Sequence, residues 1–218
     1  MKKGQAEIVE LFPTPVMKRK YEGDLTDTVK FLDSCKMVGD FPQAFGTNSQ
    51  DVYILENKQC FSLKNFILES VTTFATQILN YDYKEYNTSL SWISYKEPGQ
   101  HHTAHTHPNS LISGVFYYGE YENNTPAITF HKSTGGINAP YLYAKLNLDS
   151  EFDKTYSTEL FNFPIESNTL ILFPSHLLHS VPTNETNKVR KSLAFNVLPK
   201  GRIGDSGNLT EILFHKMV

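Results

Sequence analysis

The chain has little cysteine. Cys35 and Cys60 are the only two in 218 residues, and neither belongs to a Cys-x-x-Cys pair. Two isolated thiols make a poor disulfide framework and read as ordinary reduced side chains. No apolar run approaches the roughly 20 residues of a membrane span. The opening Met-Lys-Lys-Gly-Gln-Ala-Glu has no apolar stretch of signal-peptide length. The expectation is a soluble, cytoplasmic protein with no membrane partner. Charge of one sign is scarce too. A net charge of -3 gives no general attraction to nucleic acid or anionic lipid, and the basic runs at Lys18–Lys20 and Lys188–Lys191 are short, so nucleic acid is not an expected partner. Internal repeats and low-complexity tracts are absent, and only one long amphipathic helix is evident.

What is there favours strands. Apolar residues make up 39% and aromatics 13%, with 12 Tyr and 15 Phe, enough for a substantial core rich in strand formers. Val9 to Tyr21 mixes strand formers with Pro13 and Pro15, which confines it to an edge strand or extended arm. Asp24 or Thr26 can cap a helix running to about Cys35, with Leu25, Val29 and Leu32 at helical spacing. Residues 38–60, rich in Gly, Pro, Asn and Gln, read as loop. Ser62 to Leu79 is the clearest helix: Ser62 is the candidate N-cap, and Phe66, Ile67, Val71, Phe74 and Ile78 form one apolar face.

From Thr88 onward, short turn-bounded apolar runs follow one another, as expected of an antiparallel sandwich or barrel. Residues 132–165 read as a long insertion with a strand at about 155–163. The whole is one domain, 1–218. It divides into an N-terminal arm and helices (1–86), a jelly-roll core (87–200) and a C-terminal tail (201–218). The aromatic N-terminal helix offers a face for a homodimer.

Two stretches carry the chemistry. In His105-Thr-His107-Pro, residues two apart on an extended segment project to one face, so both imidazoles can reach one ion. Imidazole suits Fe, Zn, Cu or Ni. His101 and His102 lie nearby and read as solvated. The second stretch starts with Asn168-Thr-Leu-Ile-Leu-Phe-Pro174, a turn into a buried strand, and His179 follows at its end. Eleven residues later come Arg190 and, two further on, Ser192. A guanidinium gives a planar fork for a carboxylate and a serine adds a hydroxyl donor. Arg190, Ser192 and Asn196 share one polar face of a strand whose other face is Val189, Leu193, Phe195 and Val197. A polar face inside an apolar run fits a barrel lumen that holds a ligand.

These residues resemble the 2-oxoglutarate/iron(II)-dependent oxygenases. The likeness rests on His105-Thr-His107-Pro, Ser113-Gly-Val-Phe-Tyr-Tyr, Leu172-Phe-Pro-Ser, His179-Ser-Val-Pro, Arg190-Lys-Ser192 and Phe195-Asn196. It is nearest to a branch found in marine bacteria and cyanophages, whose N-terminus is similar to Leu11-Phe-Pro-Thr-Pro. It runs discontinuously over about residues 9–198. The resemblance implies a double-stranded β-helix, a jelly-roll barrel of mainly β structure with flanking N-terminal helices. It implies His105, His107 and His179 as metal ligands, with His107 where most of the superfamily has Asp or Glu. Arg190 and Ser192 hold the distal carboxylate of 2-oxoglutarate, and Tyr117 contacts the same group. Fe(II), 2-oxoglutarate and O2 are the implied cofactors, and the implied reaction is hydroxylation of a substrate with release of succinate and CO2. Trp92, His101 and Asn196 are candidates to face that substrate, whose identity, small molecule or protein, the sequence does not reveal. Two other readings compete. A three-His cupin-type dioxygenase without 2-oxoglutarate leaves Arg190 and Ser192 without a task. A non-catalytic jelly roll binding a sugar or peptide predicts no metal dependence.

Overall fold

The computed structural model describes residues 13–39, 42–83, 85–126, 128–132, 158 and 160–214. Thirteen strands and two α-helices are defined among them. The N-terminal part holds β1 (Met17–Lys20), α1 (Thr26–Ser34), β2 (Met37–Gly39), β3 (Thr47–Ser49) and α2 (Phe61–Thr73). The strands that follow are β4 (Tyr86–Lys96), β5 (His102–His105), β6 (Ile112–Tyr117), β7 (Thr129–His131), β8 (Leu160–Asn162), β9 (Thr169–Pro174), β10 (His179–Val181) and β11 (Arg190–Pro199). A small hairpin, β12 (Gly201–Ile203) with β13 (Ile212–Phe214), ends the described chain.

Seven strands form one antiparallel sheet in the order β1-β9-β6-β11-β4-β3-β2, and four form a second in the order β5-β10-β7-β8. This mainly β, two-sheet jelly roll is the architecture expected from the sequence. Pro13 and Pro15 precede β1, which pairs only with β9 at the sheet edge, where missing amide donors do least harm. The stretch 38–60 is a correction. It contributes β2 and β3 to the major sheet, plus 3-10 turns at Ile54–Glu56 and Lys58–Cys60. β3, Thr-Asn-Ser, carries no hydrophobic alternation, so its pairing with β4 on one side and β2 on the other makes it a strand. The long insertion lies mostly outside the described residues, and β8 falls within its expected strand.

Both helices pack on the outer face of the large sheet. Asp24 Oδ1 accepts from the Thr26 amide at 2.8 Å and from its hydroxyl at 2.7 Å, which starts α1. Ser62 is not the cap of α2. The helix already includes Phe61, and its capping position, Cys60, makes no side-chain bond. Leu63, Ile67, Val71 and Phe74 are fully buried, and Phe66 is partly so. Ile78 is 54% exposed, contrary to the expected face. A π-helical turn at Phe74–Ile78 follows α2. Its wider turn shifts the 3.6-residue phase, so Ala75 is buried and Ile78 swings outward.

Strand alternation sends Leu193, Phe195 and Val197 of β11 into the helix-side core, with Phe116, Leu170 and Leu172 from the neighbouring strands. Each such burial is worth roughly 1.5–3 kcal/mol. Gly114 permits the tightest packing there, since a Cβ on it would stand 2.3 Å from Phe195 Cζ. The opposite face of the sheet turns toward the four-stranded sheet and bears the polar residues.

Candidate metal centre

Three histidines converge between the sheets. His105 ends β5, His107 follows two residues on, and His179 begins β10, where it is the ladder partner of His105. One ligand atom from each ring lies within 4.8 Å of the other two. His107 Nε2 and His179 Nε2 stand 3.2 Å apart. An ion bound roughly 2.0–2.1 Å from each nitrogen would span such a pair. The His105 ring lies against both others, with centroids 5.1 and 4.3 Å away.

Backbone carbonyls fix the rings. His105 Nδ1 sits 2.8 Å from Thr103 O, and His179 Nδ1 sits 2.8 Å from Leu177 O. A carbonyl only accepts, so each Nδ1 carries the proton and each Nε2 keeps its lone pair for the site. The His107 amide donates to Ser175 O at 3.0 Å, tying the ligand loop to the end of β9. Burial pushes the His179 pKa down to about 3, against a weaker upward pull from the Leu177 carbonyl. Burial, helped by the neighbouring His105 and His102, pushes His107 down to about 4. Both rings are therefore neutral at physiological pH, the form that binds a metal.

A cavity of about 100 Å³ opens beside the histidines. Arg190, 3% exposed, lies in its wall. Its Nε donates to Pro126 O at 2.9 Å, one terminal nitrogen reaches the Tyr117 hydroxyl at 3.2 Å, and the other is 3.4 Å from Ser192 Oγ. Those three bonds leave two of the five guanidinium N–H groups for a ligand. Tyr117 is fully buried, which raises its pKa and keeps its proton in place. Ser192 and Trp92 line the same cavity, and the Trp92 ring lies 6.0 Å from that of His107.

The structure therefore brings together His105, His107, His179, Arg190, Ser192, Tyr117 and Trp92. It does not bring His101 or Asn196 into the wall. His101 lies edge-on to Phe45, with centroids 5.7 Å apart, and its amide bonds Ala44 O. Asn196 Oδ1 accepts from Ser113 Oγ at 2.9 Å, and a chain of hydroxyls runs on through Ser175 to Ser110. Other wall residues, among them Asn48, Ser94, His102 and Lys96, were not expected there, His102 having read as solvated. His102 lies 4.3 Å from the His105 ring and stacks on Phe45, and Lys96 lines the cavity from β4. For Lys96 a signal existed, since it stands at the same alternating spacing as Trp92 and Ser94.

The donor set suits a mononuclear metal. Three imidazoles suit Fe, Zn, Cu or Ni, and a buried guanidinium beside them suits a chelating organic anion. Fold and site together describe a jelly roll with a candidate metal site and a buried guanidinium beside it. Residues 90–196 match the family model described as "Putative 2OG-Fe(II) oxygenase", and that stretch, which holds the three histidines, Arg190 and Ser192, is similar to that family. No curated protein matches the sequence. Solved structures share the fold. The α-ketoglutarate-dependent epimerase SnoN from nogalamycin biosynthesis has a TM-score of 0.61 at 10% identity, covering 89% of this chain and 82% of its own. HygX from Streptomyces hygroscopicus, with nickel, 2-oxoglutarate and hygromycin B bound, has 0.58 at 11%, covering 85% and 83%. A Pseudomonas putida prolyl-4-hydroxylase has 0.51 at 11%, covering 86% and 89%.

Proposed function

We propose that the protein is a 2-oxoglutarate/iron(II) oxygenase, a hydroxylase that couples oxidation of a substrate C–H bond by O2 to conversion of 2-oxoglutarate into succinate and CO2. The observation that carries the reading is a buried guanidinium in the same cavity of about 100 Å³ as three convergent imidazoles. His105, His107 and His179 would hold the iron through Nε2. The bound metal supplies oxygen activation and the two-electron oxidation. The chain's own groups bind, orient and exclude water. Arg190 offers two N–H donors to the distal carboxylate, and the Ser192 and Tyr117 hydroxyls flank it. Their low exposure strengthens that ion pair relative to water. Clamping the far end fixes the direction in which the keto acid head points, toward the three rings. Trp92, beside His107, walls the site on the β4 side.

A three-His dioxygenase that dispenses with 2-oxoglutarate would bury Arg190 among hydrogen-bond acceptors for no ligand. Burying a charge is costly, which favours the co-substrate reading. Anaerobic addition of Fe(II) and 2-oxoglutarate should produce a metal-to-ligand charge-transfer band, and oxygen should then release succinate. His179→Ala should abolish the band and Arg190→Ala should weaken it. A band that survives unchanged in both variants refutes the assignment.

A further inference from the structure

Ser175 turns its amide, its carbonyl and its hydroxyl toward one short segment. It follows Pro174, the last residue of β9, and is 1% exposed. The segment is His107–Ser113, which carries the chain from β5 into β6. The Ser175 carbonyl accepts from the His107 amide at 3.0 Å, and its own amide donates to Leu111 O at 3.1 Å. Its hydroxyl donates to Ser110 Oγ at 2.8 Å and stands 2.8 Å from Ser113 Oγ. Ser110 Oγ in turn donates to Ile112 O at 3.0 Å. One buried residue thus grips the segment at both ends and in between.

The three histidines differ in how they are held. His105 and His179 are ladder partners on adjacent strands, and each has its Nδ1 on a backbone carbonyl. His107 lies beyond the end of β5, and among the described residues no carbonyl holds its ring. Its Nε2 still stands 3.2 Å from that of His179. The loop backbone has to supply that position. The loop turns tightly: Pro108 follows His107, and Asn109 has a left-handed φ of 56°. Groups of a site work within about 0.5 Å of their proper place, and irregular backbone holds such a place when its polar groups are tied down. The two main-chain bonds of Ser175 would survive Ser175→Ala. The hydroxyl is what serine adds, and it decides how tightly the loop closes on the end of β9.

We propose that Ser175 is a positioning residue for His107. Its hydroxyl holds the 107–113 segment where His107 Nε2 can share one divalent ion with His105 and His179. This rests on the three-imidazole site of the proposed function.

The test uses Co(II) as the probe on the full chain, with affinity measured by chelator competition and the ligand field by visible absorption. Ser175→Ala should weaken Co(II) binding by about 10-fold or more, as loss of a group that orients a ligand does. It should also move the absorption toward that of His107→Ala, which should weaken binding at least as far. The double variant should bind within about threefold of His107→Ala alone, because the hydroxyl acts through that ring. Asn196→Ala is the control. It loses a bond in the same hydroxyl chain but leaves Ser175 its partners, so it should stay within about threefold of wild type. If Ser175→Ala does not fold, Ser110→Ala, which removes the same bond from the loop side, reads the same difference. Unchanged Co(II) affinity in the folded variant, a fully additive loss in the double variant, or an equal loss in Asn196→Ala overturns the proposal. A His107→Ala variant that matches wild type overturns this proposal alone. Wild-type protein that binds no Co(II) overturns the three-imidazole site, and with it the proposed function.

Discussion

Acid should destabilise the metal-free chain through its own site histidines. His179 has a folded pKa of about 3 and His107 of about 4, against an ordinary value of 6.5. Both are depressed, so between pH 6.5 and the folded value the unfolded chain holds the extra proton and the native state does not. Stability is thus fully present above pH 6.5 and falls as pH drops toward 3–4. Each group costs about 1.4 kcal/mol per pH unit in that window. At pH 4.5 His179, 4% exposed, accounts for about 2–3 kcal/mol. His107, only partly buried, is counted at about half of that because solvent screens it. The sum is on the order of 4 kcal/mol, a large share of the 5–15 kcal/mol typical of a domain. Urea unfolding at pH 7.0 and 4.5 in the presence of chelator measures it. His179→Asn, which can keep a donor for Leu177 O, should flatten the pH slope by about 1 kcal/mol per unit. A slope as steep in His179→Asn and His107→Asn as in wild type would refute the argument. Added metal, which binds only native, neutral rings, should raise stability at pH 7 and steepen the acid loss.

Three further outcomes are expected. Arg190→Met should raise the 2-oxoglutarate concentration needed for half-maximal succinate release by about 100-fold or more, since it removes a buried charged partner, while metal content by atomic absorption stays near wild type. Gly114→Ala should lower unfolding stability by about 1–3 kcal/mol in denaturant titration, because the new Cβ would stand 2.3 Å from Phe195 Cζ. Asn196→Ala should cost about 0.5–1.5 kcal/mol by removing the bond from Ser113, which keeps Ser175 Oγ within reach, yet leave 2-oxoglutarate affinity by calorimetry unchanged.

The site was legible where chemistry coincided with regular alternation. His105 and His107, and Arg190 and Ser192, are pairs two residues apart, and the strand period sends each pair one way. The same rule would have found Lys96 from Trp92. Choosing between His101 and His102 was beyond the rule. His105 pairs with His179, but His102 pairs with Val181, so β5 spends three residues where β10 spends two. That bulge brings His102 onto the cavity side at a spacing alternation does not allow, and nothing in the local residues announces it. The π turn misled in the same manner at Ile78. Asn196 kept the expected face, but it lies beside Ser113 of β6 and is absorbed in the serine chain. Helices with apolar faces and strands with apolar runs were readable. The polar strand β3 is held by β4 on one side and by β2 (Met37–Gly39) on the other, and its own residues do not announce it.

An uncharged ligand set changes how the ion is retained. Three imidazoles leave a divalent ion's charge undiminished, whereas the more usual carboxylate would cancel part of it. On the proposed function the missing negative charge would arrive with the dicarboxylate, so ion and co-substrate would hold each other in place, and by linkage each would tighten the other by the same factor. Iron should wash out during dialysis in plain buffer and persist when 2-oxoglutarate or succinate is present.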